Sequence, residues 1–434
     1  MTKYIKEKTF NTENQYDIII IGAGPAGLAA ALGSKHGGAK KVLIIDRDNY
    51  VGGILNQCIH PGFGLKRFSK ELTGPEYAYA FQSAIERENG IQYLLDSYVH
   101  NIDSNKTVII SNTGMGIRKL KARAIVLAMG CREASRGSIH IPGYRPAGIF
   151  SAGTAQRLIN IEGLMPGKKI VILGSGDIGL IMARRFTLEG AEVKGVIEKM
   201  PYPGGLSKNV VQCLEDFDIP LYLSHTVTFI DGKERVKGVK IAAVDTKGKT
   251  LQGTEKYIEC DTLLLSIGLI PENELTRNLG IDIDPLTMGP IVDNMMHTSE
   301  AGIFACGNVV HVYDLVDYVS EDSYIAGFYA AEYSKKNILP SKYKTELIAG
   351  TFIRYIIPQY IIIPTNGSSN SISFRINEPL KKTKFILTAD GKNIATITKQ
   401  YAVPSEMVRL GITKYLPDIK GKRYLRIDAE EVRS

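Results

Sequence analysis

Two six-residue stretches carry the residue types that hold a nucleotide pyrophosphate. Gly22-Ala23-Gly24-Pro25-Ala26-Gly27 and Gly174-Ser175-Gly176-Asp177-Ile178-Gly179 both read GxGxxG, and an acid follows each first glycine by 24 residues, Asp46 in one case and Glu198 in the other. The three glycines answer separate needs. The first permits a sharp turn, the second lets a pyrophosphate approach the backbone at a helix N-terminus, and the third lets helix and strand pack closely. The acid accepts hydrogen bonds from an adenosine ribose. A carboxylate at Glu198 favours a free 2′-hydroxyl over a 2′-phosphate, so the second stretch is expected to prefer NAD to NADP. No arginine cluster follows Glu198, although Lys199 is adjacent.

Each motif sits where a strand must hand over to a helix. YDIIIIGAGPAGLAAALGSKHGGAKKVLIID reads as a buried apolar strand, a glycine turn, an alanine-rich helix and a second strand ending at Asp46. GKKIVILGSGDIGLIMARRFTLEGAEVKGVIEK repeats the order and ends its second strand at Glu198. Two such units imply two doubly wound domains. KARAIVLAMG and DTLLLSIGLIPEN are strands that stop at a glycine and return the chain to the floor of each nucleotide site. GIFACGNVVHVYDLVDYVSEDSYIAGFYAAEYSKK follows as a short strand, a loop and a long helix. Beyond residue 343 the chain turns to short β-branched runs broken by turn signals, among them Asp390-Gly391.

The expected architecture is α/β, with two Rossmann-like dinucleotide-binding domains and a C-terminal antiparallel β domain. The expected boundaries are an N-terminal arm at 1–15, a first dinucleotide domain at 16–145 and 276–342, a second one inserted at 146–275, and the β domain at 343–434. That last region shows no titratable cluster for catalysis and reads as a docking or dimerisation module.

Composition narrows the function classes. The 434 residues are 44% hydrophobic and 23% charged, ample for buried cores. The net charge of +8 is spread along the chain instead of forming a basic run with interleaved aromatics, so nucleic acid is not an expected partner. An acidic protein partner or an anionic small substrate suits the mild positive balance equally. The five cysteines, at 58, 131, 213, 260 and 306, are too far apart for a CxxC pair or an iron–sulfur pattern, and no metal is expected. They point to a reducing compartment. The run IIIIGAGPAGLAAALG contains glycines and a proline that make it strand, turn and helix, so no membrane span is expected and the protein reads as soluble and cytoplasmic.

The first glycine turn, LAMG at 127 to 130, SIGLIPEN and ACGN occur in the order that resembles the two-dinucleotide-binding-domain flavoproteins of the pyridine nucleotide-disulfide oxidoreductase superfamily. The likeness covers about residues 16 to 340. It implies FAD at the first turn and NAD(H) at the second. It places Gly22, Gly24, Pro25, Ala26, Gly27, Asp46, Arg47, Gly53, Gly130, Gly307 and Asn308 around FAD, and Gly174, Gly176, Asp177, Ile178, Gly179, Glu198 and Gly268 around NAD. Asn308 stands where most of the superfamily has an aspartate on the ribityl chain, so a negative charge is lost and the flavin is expected to be easier to reduce.

A narrower likeness lies in GGILNQCIHPGFGLKRF, MPYPGGLSKNVVQCLEDFDIPL and FACGNVVHVYDLVDYVSE. These resemble the FAD/NAD oxidoreductase partner of anaerobic-type glycerol-3-phosphate dehydrogenases, related to subunits of opine oxidase, hydrogen cyanide synthase and dye-linked proline dehydrogenase. The resemblance implies electron exchange with a partner dehydrogenase subunit or an iron–sulfur protein, in a homo- or hetero-oligomer. Disulfide reductases of the superfamily carry GGxCxxxxC. Counted from Gly52, the two cysteine positions fall on Leu55 and His60. A thioredoxin-reductase CxxC fails too, because Cys213 and Cys260 are far apart.

Cys58 reads either as packing beneath the flavin or as a lone catalytic thiol acting through a sulfenic acid, as in peroxidases and coenzyme A disulfide reductases. The second reading would make the chain a self-contained NADH oxidase, a peroxidase or a small disulfide reductase. A third reading is a structural FAD-binding subunit without nicotinamide turnover. Asp314, Asp317, Glu321 and Asp322 read as caps of the following helix, with Asp317 alternatively handling protons near the flavin.

Overall fold

The computed structural model describes residues 15–336, 343–363 and 371–432. The arm expected at 1–15 lies outside them except for Gln15, which opens the first strand. The chain divides into two compact units, Met1–Cys131 with Pro271–Ser434, and Arg132–Ile270.

In the first unit a seven-stranded mixed sheet runs Ile91–Leu94, Val42–Ile45, Gln15–Ile21, Gly116–Leu127, Thr107–Asn112, Ser97–Ile102. The long strand Gly116–Leu127 does double duty. Its first half pairs antiparallel with Thr107–Asn112, and its end, Ile125 to Leu127, pairs parallel with Ile303–Ala305, so the chain re-enters this sheet after the second unit. Ile18, Ile19 and Ile20 are fully buried, and this is why the strand reads as an unbroken apolar run rather than an alternating one. Helix Pro25–His36 packs on the long helix Val316–Lys336 through small residues. A Cβ on Gly33 would lie 2.1 Å from the Tyr324 carbonyl oxygen, and one on Gly327 1.9 Å from that of Ala30.

The second unit has a five-stranded, all-parallel sheet ordered Ile149–Ser151, Thr262–Leu265, Lys169–Leu173, Glu192–Ile197, Leu221–Tyr222. A three-stranded antiparallel sheet, His225–Asp231, Gly238–Ala243 and Lys256–Glu259, accompanies it.

The C-terminal strands form a five-stranded and a three-stranded sheet around a core in which Phe374 and Phe385 meet edge to face at 5.1 Å. Pairing there is antiparallel except between Tyr343–Ala349 and Tyr424–Glu431. Asp390 and Gly391, both with positive φ, close the hairpin Leu380–Ala389 with Lys392–Ala402. Among the described residues no helix is long and apolar enough to cross a membrane.

Candidate functional site

The first turn leaves the end of strand Gln15–Ile21 at Gly22, whose φ of +110° favours glycine; a Cβ there would lie 2.3 Å from the Ala128 carbonyl oxygen. At Gly27 a Cβ would lie 1.8 Å from the Gly22 oxygen, so the helix start must press on the turn. Gly24 differs: an added Cβ meets nothing within 4 Å. Its lack of a side chain leaves the space outside the turn open at the helix N-terminus, where backbone N–H groups favour an anion. Pro25 follows as the first helical residue.

Asp46 locks this turn. Its Oδ2 accepts the Ala23 N–H at 2.5 Å and its Oδ1 the Asp48 N–H at 2.9 Å. Burial raises its pKa against these hydrogen bonds. Arg47 beside it is exposed. Two distant segments close on the same turn. Gly53, in a 3-10 helix, would put a Cβ 2.9 Å from the Gly24 Cα, and Gly307 would put one 2.6 Å from the Ala26 Cβ. Asn308 follows, its Nδ2 donating to the Cys131 Sγ at 3.6 Å and its Oδ1 accepting the Tyr313 N–H at 3.2 Å. Gly130, at positive φ, has no neighbour within 4 Å of an added Cβ.

The second turn repeats the device. Gly174 has φ +97° and a Cβ there would lie 2.0 Å from the Ser266 oxygen; at Gly179 one would lie 2.7 Å from the Ser266 Cβ. Gly176 is freer, its nearest neighbour being the Ser266 Oγ at 3.4 Å. Glu198 is buried. Its Oε2 accepts from the Ser175 N–H at 2.9 Å and the Ser175 hydroxyl at 2.6 Å, while Oε1 accepts the Met200 N–H at 2.8 Å. The Asp177 carboxylate binds the Leu206 N–H at 2.8 Å and the Asn209 amide at 2.6 Å. The Gly204 N–H donates to the Ser175 Oγ at 2.8 Å, so residues 204 to 209 are fastened to the turn. Ile178 is half-buried in the helix start, and Gly268, at φ +108°, has open space around it.

Cys58 lies at the end of the 3-10 segment Gly53–Gln57, and its Sγ donates to the Ile54 carbonyl at 3.3 Å. Burial pushes the thiol up to about 12, which keeps it protonated and a weak nucleophile at neutral pH. His60 holds the Pro61 carbonyl at 3.0 Å and lies 5.0 Å from the Phe63 ring. Among the described residues no group of His, Cys, Asp and Glu has the arrangement of a metal site.

The acidic residues before and in the long helix are mostly not caps. Asp314 pairs with Arg375 and accepts the Met407 N–H at 2.6 Å. Asp322 takes Arg409 in a two-point pair, at 2.6 and 3.1 Å, and the Tyr313 hydroxyl at 2.7 Å; Glu321 lies 3.3 Å from Arg409. Only Asp317 stands in the first helical turn. The capping expectation fails because the partners, Arg375 and Arg409, come from strands 61 and 87 residues away. The C-terminal region is thereby tied into the first unit. His311 lies among these groups, fully buried, its ring 4.0 Å from that of Tyr313 and tilted 42° to it, with neither ring nitrogen hydrogen-bonded to a described residue. Burial, and then the charges of Arg375 and Arg409, lower its pKa to about 3.

A protein-family profile described as pyridine nucleotide-disulphide oxidoreductase matches residues 16–323. An opine oxidase subunit from Rhizobium meliloti is 26% identical over 349 residues, 74% of this chain and 61% of that protein. Thioredoxin reductase of Listeria monocytogenes is 27% identical over 308 residues, 68% of this chain and 86% of that one. Among solved structures, T. acidophilum thioredoxin reductase shares the fold, with a TM-score of 0.60 and 24% identity over 75% of this chain and 100% of that one. Members of the matching family are flavin oxidoreductases that use FAD and NAD(P)H.

Proposed function

From the premise that this chain belongs to the pyridine nucleotide-disulphide oxidoreductase family, we propose that it passes electrons between NAD(H) and a partner dehydrogenase through FAD, without a redox-active disulfide. The partner is of the glycerol-3-phosphate dehydrogenase-like kind that the sequence resembles. When bound, FAD and NAD would supply hydride-transfer chemistry, and the part of the chain would be to bind and orient the two. On this reading Gly24 and the first helix hold the FAD pyrophosphate, with Asn308 along the ribityl chain. Gly176 and Glu198 hold NAD.

One observation carries the partner reading. Both dinucleotide turns are intact, yet the two positions where a disulfide reductase passes electrons onward are Leu55 and His60, and the one nearby thiol, Cys58, is held protonated. Electrons that enter from NADH then have no dithiol relay in this segment and leave to another protein. The relative from Rhizobium meliloti is itself named as a subunit, which supports the same reading. The test is an NADH titration of the purified protein under argon. Rapid flavin bleaching with negligible oxygen or peroxide turnover is the expected result. Fast turnover with peroxide would favour a self-contained enzyme, and no bleaching would favour a structural role.

A further inference from the structure

We propose that Asp317 is a flavin-binding residue whose Oδ1 accepts the hydrogen bond of the isoalloxazine N3–H, an inference that rests on the flavin reading above. Asp317 is only 6% exposed, in the first turn of the 21-residue helix Val316–Lys336. Its Oδ2 accepts the Lys66 N–H at 3.2 Å, but its Oδ1 accepts no hydrogen bond among the described residues. Of the nearby donors, the Tyr77 hydroxyl gives its proton to the Ser320 Oγ at 2.8 Å; its pKa is raised first by burial and, less, by the charge of Asp317 and a side-chain hydrogen-bond contact with that carboxylate. The Lys66 ammonium is held by the Tyr318 hydroxyl. A buried carboxylate oxygen without a donor is costly, so the chain presents an acceptor for a group it does not itself contain.

The position of that acceptor identifies the donor. Two segments that begin on the first glycine turn end at Asp317. One starts at Gly53, against Gly24, and reaches Lys66; the other starts at Gly307, against Ala26, and passes Asn308 to Val316. A dinucleotide bound with its pyrophosphate on the turn and its ribityl chain along Asn308 would carry its isoalloxazine toward the place where these segments converge. Oxidised isoalloxazine has one ring N–H, at N3, and Asp317 has one oxygen in need of a donor. The positive end of the long helix favours a carboxylate there. The same carboxylate opposes the negative charge that reduction adds to the flavin, offsetting part of what Asn308 removed.

The probe is 3-methyl-FAD, in which a methyl group replaces the N3 hydrogen. Full-length apoprotein is expected to bind FAD about tenfold or more tightly than 3-methyl-FAD. Asp317→Ala removes the acceptor and leaves room for the methyl group, and should bring the two affinities to within about twofold of each other. Undiminished discrimination in Asp317→Ala overturns the proposal. Should that variant fail to fold, wild-type protein loaded with FAD isotope-labelled at N3 gives an independent answer. An N3 proton shifted downfield and protected from exchange supports the assignment, and one exchanging as fast as in free FAD overturns it. Wild-type protein that binds neither flavin overturns the flavin reading itself, whereas equal binding of both overturns the role of Asp317 alone.

Discussion

The two glycine turns are built alike and enclosed differently. In each, the acid accepts the N–H that follows the first glycine and the N–H two residues beyond itself: Ala23 and Asp48 for Asp46, Ser175 and Met200 for Glu198. The second turn is then fastened by its own following loop, through Gly204, Leu206 and Asn209. The first is closed by segments around residues 53 and 307; Arg375 from the C-terminal strands holds the loop after Gly307, and Arg409 holds the helix that follows it. A turn closed locally depends little on the rest of the chain. One closed by distant segments shares their stability, so retention of its dinucleotide should respond to changes far away in sequence.

The sharpest way to break this comparison is to spoil one turn at a time. Gly27→Ala forces a Cβ to within 1.8 Å of the Gly22 oxygen, and the purified protein should carry no flavin by absorbance. Gly174→Ala meets the Ser266 oxygen at 2.0 Å; it should keep its FAD but bleach with NADH on the order of a hundredfold more slowly. Loss of FAD from Gly174→Ala would show that the turns are not independent. Next in size is Arg409→Gln, which leaves the buried Asp322 carboxylate without its partner and should cost about 3–5 kcal/mol by urea unfolding. FAD retention should fall with it. Replacing both partners, Arg409→Met with Asp322→Leu, should recover most of that loss.

Glu198→Gln is milder. It retains an acceptor oxygen but removes the charge that repels a 2′-phosphate, so the ratio of kcat/KM for NADH over NADPH should fall by about tenfold while FAD content stays unchanged. An unchanged ratio would remove Glu198 from nucleotide selection and confine it to holding Ser175 and Met200.

The contrast between the turns also explains what the sequence could reveal. Strand, glycines, helix and acid lie within 33 consecutive residues in each turn, and each part has a periodicity or a residue type that announces it. The split of the first fold around an insertion was legible through the resemblance to the two-dinucleotide-binding-domain flavoproteins, which LAMG and ACGN help to carry. The arginine pairs were not. Arg375 and Arg409 sit in β runs whose alternation specifies only inside and outside, and nothing local ties them to Asp314 or Asp322. The same holds for His311, an ordinary histidine in sequence that becomes a buried ring near two guanidinium groups only after the C-terminal strands pack. Lys66 reaching Asp317 is a backbone contact, and backbone donors leave no signature in residue type.

Acid should act first on the unit with the distant contacts. His311 and His297 are held by burial at about 3 and about 4, below the unfolded value near 6.5, while burial raises Asp293 to about 6 from an unfolded 3.8. Between about pH 4 and 6 the unfolded chain therefore binds two more protons on the histidines and one fewer at Asp293. The net excess of about one proton makes stability rise with pH by about 1.4 kcal/mol per unit from these groups, and fall correspondingly on acidification. His311→Phe should flatten that limb in urea unfolding measured at several pH values. A slope unchanged in this variant would mean that His311 is protonated in the fold, paired with a group absent from the described residues.

The smallest expected effect concerns the loop that most resembles a disulfide reductase. With its thiol at about 12, Cys58 is a thiolate in only about one molecule in 10⁵ at pH 7. A serine hydroxyl keeps a donor within reach of the Ile54 carbonyl, so Cys58→Ser should change stability by no more than about 0.5 kcal/mol. Anaerobic bleaching by NADH should be equal in variant and wild type, and neither should oxidise NADH with peroxide. Were wild type to show peroxide-dependent oxidation that Cys58→Ser lacks, the thiol would have to be activated once flavin is bound. The first turn would then feed a cysteine of its own unit rather than a partner, and the closure of that turn by residues 53 to 66 would serve to shelter a reactive sulfur.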